Sequence, residues 1–153
     1  MTHDRRKRPA TLLPPPLVYV AALWGAWELH KQLPLAFPKL PGIGWMLVAL
    51  GGLMLLWAVW TMFRHHTTIN PYAGVVHLVQ DGPFTFSRNP IYLGDSVIYF
   101  GVMLIWGNLW PLFLYPIVWA AIRYGVIRNE EAHLAAKFGE AYAQYCRRVR
   151  RWL

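Results

Sequence analysis

Residues 42–63 form a run of 22 residues without one charged side chain, and that run decides the fold class. A helix rises about 1.5 Å per residue, so about 20 apolar residues cross the roughly 30 Å hydrocarbon core of a bilayer. Inside hydrocarbon every backbone N–H and C=O must be satisfied within the segment, which leaves the α-helix as the form of an isolated span. Arg64-His65-His66 closes the run. The rest of the chain agrees: 56% of it is hydrophobic, 16% aromatic and only 14% charged, outside the usual balance of a soluble domain.

Three further apolar stretches follow the same logic. Residues 14–30 are short for a span, but their prolines fit a first helical turn, and Trp24 and Trp27 suit an interfacial belt. Residues 91–106 are apolar apart from Asp95 and Ser96. After the turn Gly107-Asn108, residues 109–125 run back. Residues 31–41, with Pro34, Pro38 and Pro41, read as a connecting loop, and residues 67–88 have the Pro, Gly, Asn and Asp content of an ordered loop. Residues 129–150 differ in kind: Leu134, Phe138, Tyr142, Tyr145 and Val149 draw an apolar stripe at helical spacing on a polar segment. The 153 residues allow one domain. The expected fold is all-α, an integral membrane four-helix bundle with a loop and an amphipathic C-terminal helix at one face.

The net charge of +8 does not point to nucleic acid, because the basic residues gather at the ends of apolar stretches instead of on a soluble face. Of the 15 Lys and Arg, only Lys31 and Lys39 fall in loops on the side opposite the termini. The basic run Arg5-Arg6-Lys7-Arg8 lies ahead of the first span. The positive-inside rule therefore places both termini, the 67–88 loop and the 129–150 helix in the cytoplasm, consistent with a bacterial inner membrane. No small-residue cleavage site is evident after the first stretch, so no removable signal peptide is read. Cys146 is the single cysteine; it is expected to be unpaired and inert. His65-His66 reads as interfacial, with no third or fourth metal ligand in sight.

Two polar blocks meet on that cytoplasmic side. In the first, Gly82-Pro83-Phe84 makes a turn, and Ser87-Arg88-Asn89-Pro90 suits a helix start with Asn89 as cap and Pro90 in the first turn. Arg88 read plainly is a topology anchor. Tyr92, Asp95, Ser96 and Tyr99 then recur at i, i+3, i+4 and i+7, one polar face on an apolar helix. A carboxylate in a span normally faces the bundle interior or a wet cavity, though Asp95 sits close enough to the interface to snorkel. The second block is Arg128-Asn129-Glu130-Glu131. Acidic residues in a first helical turn suit the helix dipole without any further role, but this pair sits just outside the fourth span, beside the first block.

Gly82-Pro83-Phe84, Ser87-Arg88-Asn89-Pro90-Ile91-Tyr92, then Glu130-Glu131, Leu134, Phe138-Gly139, Tyr142 and Tyr145, resemble the isoprenylcysteine carboxyl methyltransferase and phospholipid methyltransferase superfamily. The resemblance spans roughly residues 67–153. It implies a pocket for S-adenosylmethionine roofed by the cytoplasmic loop and the C-terminal helix. Carried over residue by residue, cofactor contacts would fall to His77, Leu78, Val79, Phe84, Asn89, Pro90, Tyr92 and Glu130. Arg88 and Glu131 would serve the reaction, and Asn89 stands where a His is commoner. The Arg that eukaryotic members carry ahead of the Glu pair aligns near Val126, so prenylcysteine recognition is not implied. Asp95 joins the catalytic candidates on physical grounds alone, as a polar group facing the acceptor side.

The chemistry suits such a site. Methyl transfer from a sulfonium needs an in-line nucleophile held close and dry, with little acid–base help. A carboxylate such as Glu130 and a cation such as Arg88 suit the amino-acid end and ribose of the cofactor; aromatics such as Phe84 and Tyr92 can pack on adenine or face a sulfonium. The Gly-rich loop of soluble Rossmann-type folds is absent. The expected acceptor is lipophilic or amphipathic and enters from the bilayer, and neither a metal nor nucleic acid is expected. Two rivals remain: an NADPH-dependent sterol-reductase-like oxidoreductase, which would usually have more spans and an Arg-Asp-Glu-type motif, and a membrane protein without catalysis.

Overall fold

A computed structural model describes residues 14–66 and 77–153. The basic tail Arg5-Arg6-Lys7-Arg8 and residues 67–76 of the expected loop lie outside the described residues. Among the described residues the chain is helical, with no strand: α1 is Pro15–Gln32, α2 Pro41–Arg64, α3 Pro90–Trp106, α4 Trp110–Ile122 and α5 Arg128–Arg148, with a one-turn 3-10 helix at Gly82–Thr85. Helices α4 and α5 are continuous through a wider π-type turn at Arg123–Ile127. Proline stands in the first turn of α1, α2, α3 and α4, where its missing N–H costs nothing.

Two helices are long and apolar enough to cross a membrane, α2 and the continuous run Trp110–Arg148, and α3 is a shorter apolar helix. These are not core helices of a soluble protein. Trp45, Leu53, Leu56, Trp60, Phe63, Phe113 and Ile117 all stand exposed on them, an apolar surface that water would not tolerate on this scale.

Helix α2 packs along α3, α1 along α4, and α3 joins the two pairs. The α2–α3 seam depends on glycine. A Cβ on Gly51 would stand 2.6 Å from the Gly94 carbonyl oxygen, and one on Gly44 would stand 2.7 Å from that of Gly101. Without a hydrophobic drive between helices in lipid, such backbone approach is what holds a pair together. Around Tyr19, Tyr92, Tyr99, Val118, Ile122, Val126 and Ile127 the other helices bury a common core.

The proline-rich connection ties one end of the bundle together. Phe37 N–H donates to Gly107 O at 2.8 Å, Leu40 N–H to Leu104 O at 3.0 Å, and Leu109 N–H to Leu35 O at 3.0 Å. Buried Asn108 adds a side-chain bond to Ala26 O at 3.0 Å. Lys31 and Lys39 lie at this end; every other Lys and Arg among the described residues lies towards the opposite end, with both motif blocks.

Two local expectations need correction. Asn89 occupies the position ahead of α3, but its side chain does not cap the helix; its amide donates to Arg151 O at 2.9 Å instead. Helix α5 is also not straight: Gly139 adopts φ 49°, ψ −120° and breaks the helical path. The apolar stripe survives that kink, since Leu134, Phe138, Tyr142, Tyr145 and Val149 form one cluster with Leu78 and Phe84.

Candidate active site

At the end of the bundle opposite the proline connection, the chain between α2 and α3 is clamped to both. Gly82 has φ 57°, and a Cβ there would meet Thr61 Oγ1 of α2 at 2.5 Å, so this turn requires glycine. His65 at the end of α2 hydrogen-bonds Asp81 at 2.9 Å, and that bond holds the Asp81 carboxyl below its ordinary range. On the other side Tyr145 donates to Phe84 O at 2.7 Å. The turn is thereby wedged between α2 and α5, which fixes where Arg88 begins.

Arg88 and Glu131, one from each polar block, form an ion pair. Arg88 Nη1 lies 3.2 Å from Glu131 Oε1, with both side chains largely covered. The same Nη1 donates to Cys146 Sγ at 2.7 Å and lies 3.5 Å from the Tyr142 hydroxyl. Cys146 is a free thiol, unpaired as expected, with its sulfur held against the Arg88 cation. Arg88 Nε is buried and without a hydrogen-bond partner among the described residues.

Arg151, in the short segment after α5, is the site residue that sequence reasoning missed. It donates from Nε and Nη2 to the two oxygens of Glu131, at 2.8 and 2.7 Å. Its carbonyl accepts from Asn89, and Arg150 O accepts from Arg88 N–H at 3.0 Å. Trp152 follows and packs against the common core. Nothing in the sequence separated Arg151 from the run Arg147-Arg148…Arg150-Arg151, since only the folded path brings one of the four back onto Glu131.

Tyr92 and Glu130 make the second link, with the Tyr92 hydroxyl donating to Glu130 Oε1 at 2.8 Å. Glu130 is densely surrounded yet keeps part of its surface open. Burial pushes its carboxyl up to about 7; the adjacent Glu131 charge adds to this, and the bond from Tyr92 works against it. A carboxylate with that poise can hold a hydroxyl or an ammonium as well as a tyrosine. One turn on, His133 Nε2 is buried without a partner among the described residues.

The polar face of α3 divides. Ser96 is buried and bonded from all sides: it donates to Tyr92 O at 2.8 Å, accepts from Tyr115 at 3.0 Å, and lies 3.0 Å from the Tyr19 hydroxyl. Tyr99 donates to Pro111 O at 2.8 Å. Asp95 joins none of this, and its Oδ2 is buried without a partner among the described residues. Of the remaining candidates, Pro90 and Val79 are buried, Leu78 and Phe84 pack in the α5 cluster, and His77 is exposed. Among the described residues no group of three His, Cys, Asp or Glu could hold a metal ion.

An all-α chain with lipid-suited helices and a polar, ion-paired cluster at one end defines a helical membrane protein. The family model described as phospholipid methyltransferase matches residues 41–141, and the chain belongs to that family. A stretch of 72 residues is 33% identical to the Protein-S-isoprenylcysteine O-methyltransferase of Schizosaccharomyces pombe (strain 972), covering 47% of this chain and 30% of that protein. No solved structure matches the chain.

Proposed function

We propose that the protein transfers a methyl group from S-adenosylmethionine to a lipophilic or amphipathic acceptor drawn from the bilayer. The observation that carries this reading is the meeting of two distant sequence blocks in two adjacent links, Tyr92 to Glu130 and Arg88 to Glu131. Family membership supports the reaction class.

The residues fit the cofactor. Arg88 offers a buried Nε–H with no partner among the described residues, suited to a carboxylate such as the amino-acid end carries. Glu130 offers acceptors for ribose hydroxyls or an ammonium. Tyr92 and Phe84 supply aromatic surface, and His77, Leu78, Val79, Asn89 and Pro90 complete the proposed contacts. When bound, the cofactor supplies an electrophilic methyl on a sulfonium. The chain's own part is to hold the two reactants in line and exclude water. Glu131 keeps Arg88 oriented, and Asp95 Oδ2 offers an unused acceptor on the side of α3 where an amphipathic acceptor would present a donor. The acceptor atom would lose its proton, where it has one, as the new bond to carbon forms.

In the membrane arrangement proposed here, α1 to α4 span the bilayer. Both termini, the loop and α5 are cytoplasmic, because nearly all Lys and Arg lie at the end that carries the site. Calorimetry of the purified protein with S-adenosylhomocysteine, and separately with NADPH, tests the reading. It expects binding of the first and none of the second. The reverse pattern would move the chain to an oxidoreductase.

A further inference from the structure

We infer that Arg151 is a positioning residue of this site, acting through Glu131 to set the direction in which Arg88 points. The inference rests on the reading of the site as a cofactor site and concerns a residue beyond the matched span, which ends at residue 141.

The geometry leads there step by step. Glu131 has two oxygens and serves two arginines. Arg151 takes both oxygens in a two-bond fork, at 2.8 and 2.7 Å, while Arg88 reaches only Oε1, at 3.2 Å. Forked arginine–carboxylate pairs are the strong, directional kind. Arg151 thus holds the carboxylate fully engaged, and Arg88 is left with a single edge contact. The remaining reach of Arg88 goes to Cys146 Sγ at 2.7 Å and towards Tyr142, with Nε unbonded. Arg151 is itself pinned, because its carbonyl accepts from Asn89 of the first block and the next residue, Trp152, is packed into the core. One residue therefore ties the Arg88-Asn89 block to the Glu130-Glu131 block from outside both.

Without the Arg151 side chain, Oε2 of Glu131 loses its donors. Arg88 then satisfies the carboxylate best by turning into a fork of its own, away from Cys146. Two readouts follow, and only one involves the cofactor. Arg88 Nη1 lies against Cys146 Sγ at 2.7 Å and covers it, so the labelling rate of Cys146, the single cysteine in the chain, reports whether Arg88 is still beside it.

The experiment uses the full chain, purified and folded, with Arg151→Ala, Arg151→Gln, Arg151→Lys, Glu131→Gln and the Arg151→Ala/Glu131→Gln double variant. Iodoacetamide labelling of Cys146 is followed by mass spectrometry, and S-adenosylhomocysteine binding by calorimetry. Arg151→Ala and Arg151→Gln should speed Cys146 labelling several-fold, as Arg88 leaves the sulfur, and weaken the analogue roughly 10- to 100-fold, the range of a hydrogen bond to a charged group. Arg151→Lys, which keeps the charge without the fork, should fall between. The double variant should bind no worse than the weaker single variant, as expected of residues acting through one another. Arg151→Gln decides if Arg151→Ala does not fold. Labelling that is unchanged or slower, or additive losses in the double variant, would overturn the inference. If the parent protein does not bind the analogue, the cofactor reading fails, and the labelling rates alone decide whether Arg151 positions Arg88.

Discussion

The Tyr92 hydroxyl donates to Glu130 Oε1 at 2.8 Å across 38 positions of sequence, joining the start of α3 to the start of α5. Tyr92 is buried and Glu130 keeps an open side, so the bond closes the inner wall of the site and leaves the second carboxylate oxygen for another partner. Replacing Glu130 with Ala should weaken S-adenosylhomocysteine binding at least tenfold, about 1.4 kcal/mol, in a protein that still folds. Unchanged affinity in calorimetry would return Glu130 to a helix-dipole role.

The same carboxyl sets a pH dependence. Its folded value of about 7 lies above the ordinary 4.5, so the folded chain binds this proton more tightly than the unfolded chain. That contribution to stability is present below about 4.5, falls as pH rises, and is lost above about 7. Glu130→Gln should therefore be at least as stable as the parent at pH 8, with the difference vanishing towards pH 4.5. Analogue affinity, which uses the ionised form, should rise as pH passes upward through about 7 in the parent and stay flat in Glu130→Gln. A parallel rise in both proteins would assign the titration to another group.

At the α2–α3 seam, Gly51→Leu should destabilise the fold by about 1–3 kcal/mol or more, the scale of overpacking, because its Cβ would meet the Gly94 carbonyl at 2.6 Å. Gly52→Leu has open space around it and should leave thermal unfolding unchanged. Equal unfolding temperatures for the two variants would contradict the seam as described.

The apolar runs were legible because span length and helical period are properties of the sequence alone: α2 and α3 begin and end within a residue of the expected bounds. The stripe from Leu134 to Val149 was legible for the same reason, although the Gly139 kink was not, since no local pattern demanded it. Gly44 and Gly51, and Gly94 and Gly101, share a seven-residue spacing that could have announced the seam. That the Arg88-Asn89 and Glu130-Glu131 blocks would lie near each other was legible from their places at the ends of the spans; which side chains pair, Arg88 with Glu131 and Tyr92 with Glu130, was not. What stayed hidden depends on the path after α5. Asn89 looked like a cap because cap chemistry is local, and it became a donor to Arg151 O because that segment folds back.

Topology can be read by cysteine accessibility. With Cys146 replaced by Ser, a cysteine at position 36, beside the Gly107 turn, should react with a membrane-impermeant reagent from outside the cell. Labelling only after the cytoplasmic face is opened would reverse the orientation.

Asp95 Oδ2 is buried without a partner among the described residues, on the helix that carries Tyr92. Asp95→Asn should lower methyl transfer more than it lowers S-adenosylhomocysteine affinity, because the proposed site puts this group on the acceptor side. Equal losses in both would place it with the cofactor, and no loss in either would leave it a snorkelling side chain.

The central claim is methyl transfer to a molecule of the bilayer, and methyl-labelled S-adenosylmethionine tests it in membranes carrying the protein. Label should pass into the organic-extractable fraction with the parent chain and fall to background with Glu130→Ala at equal protein level. Label confined to the aqueous fraction, or organic label equal in the two membranes, would contradict the account.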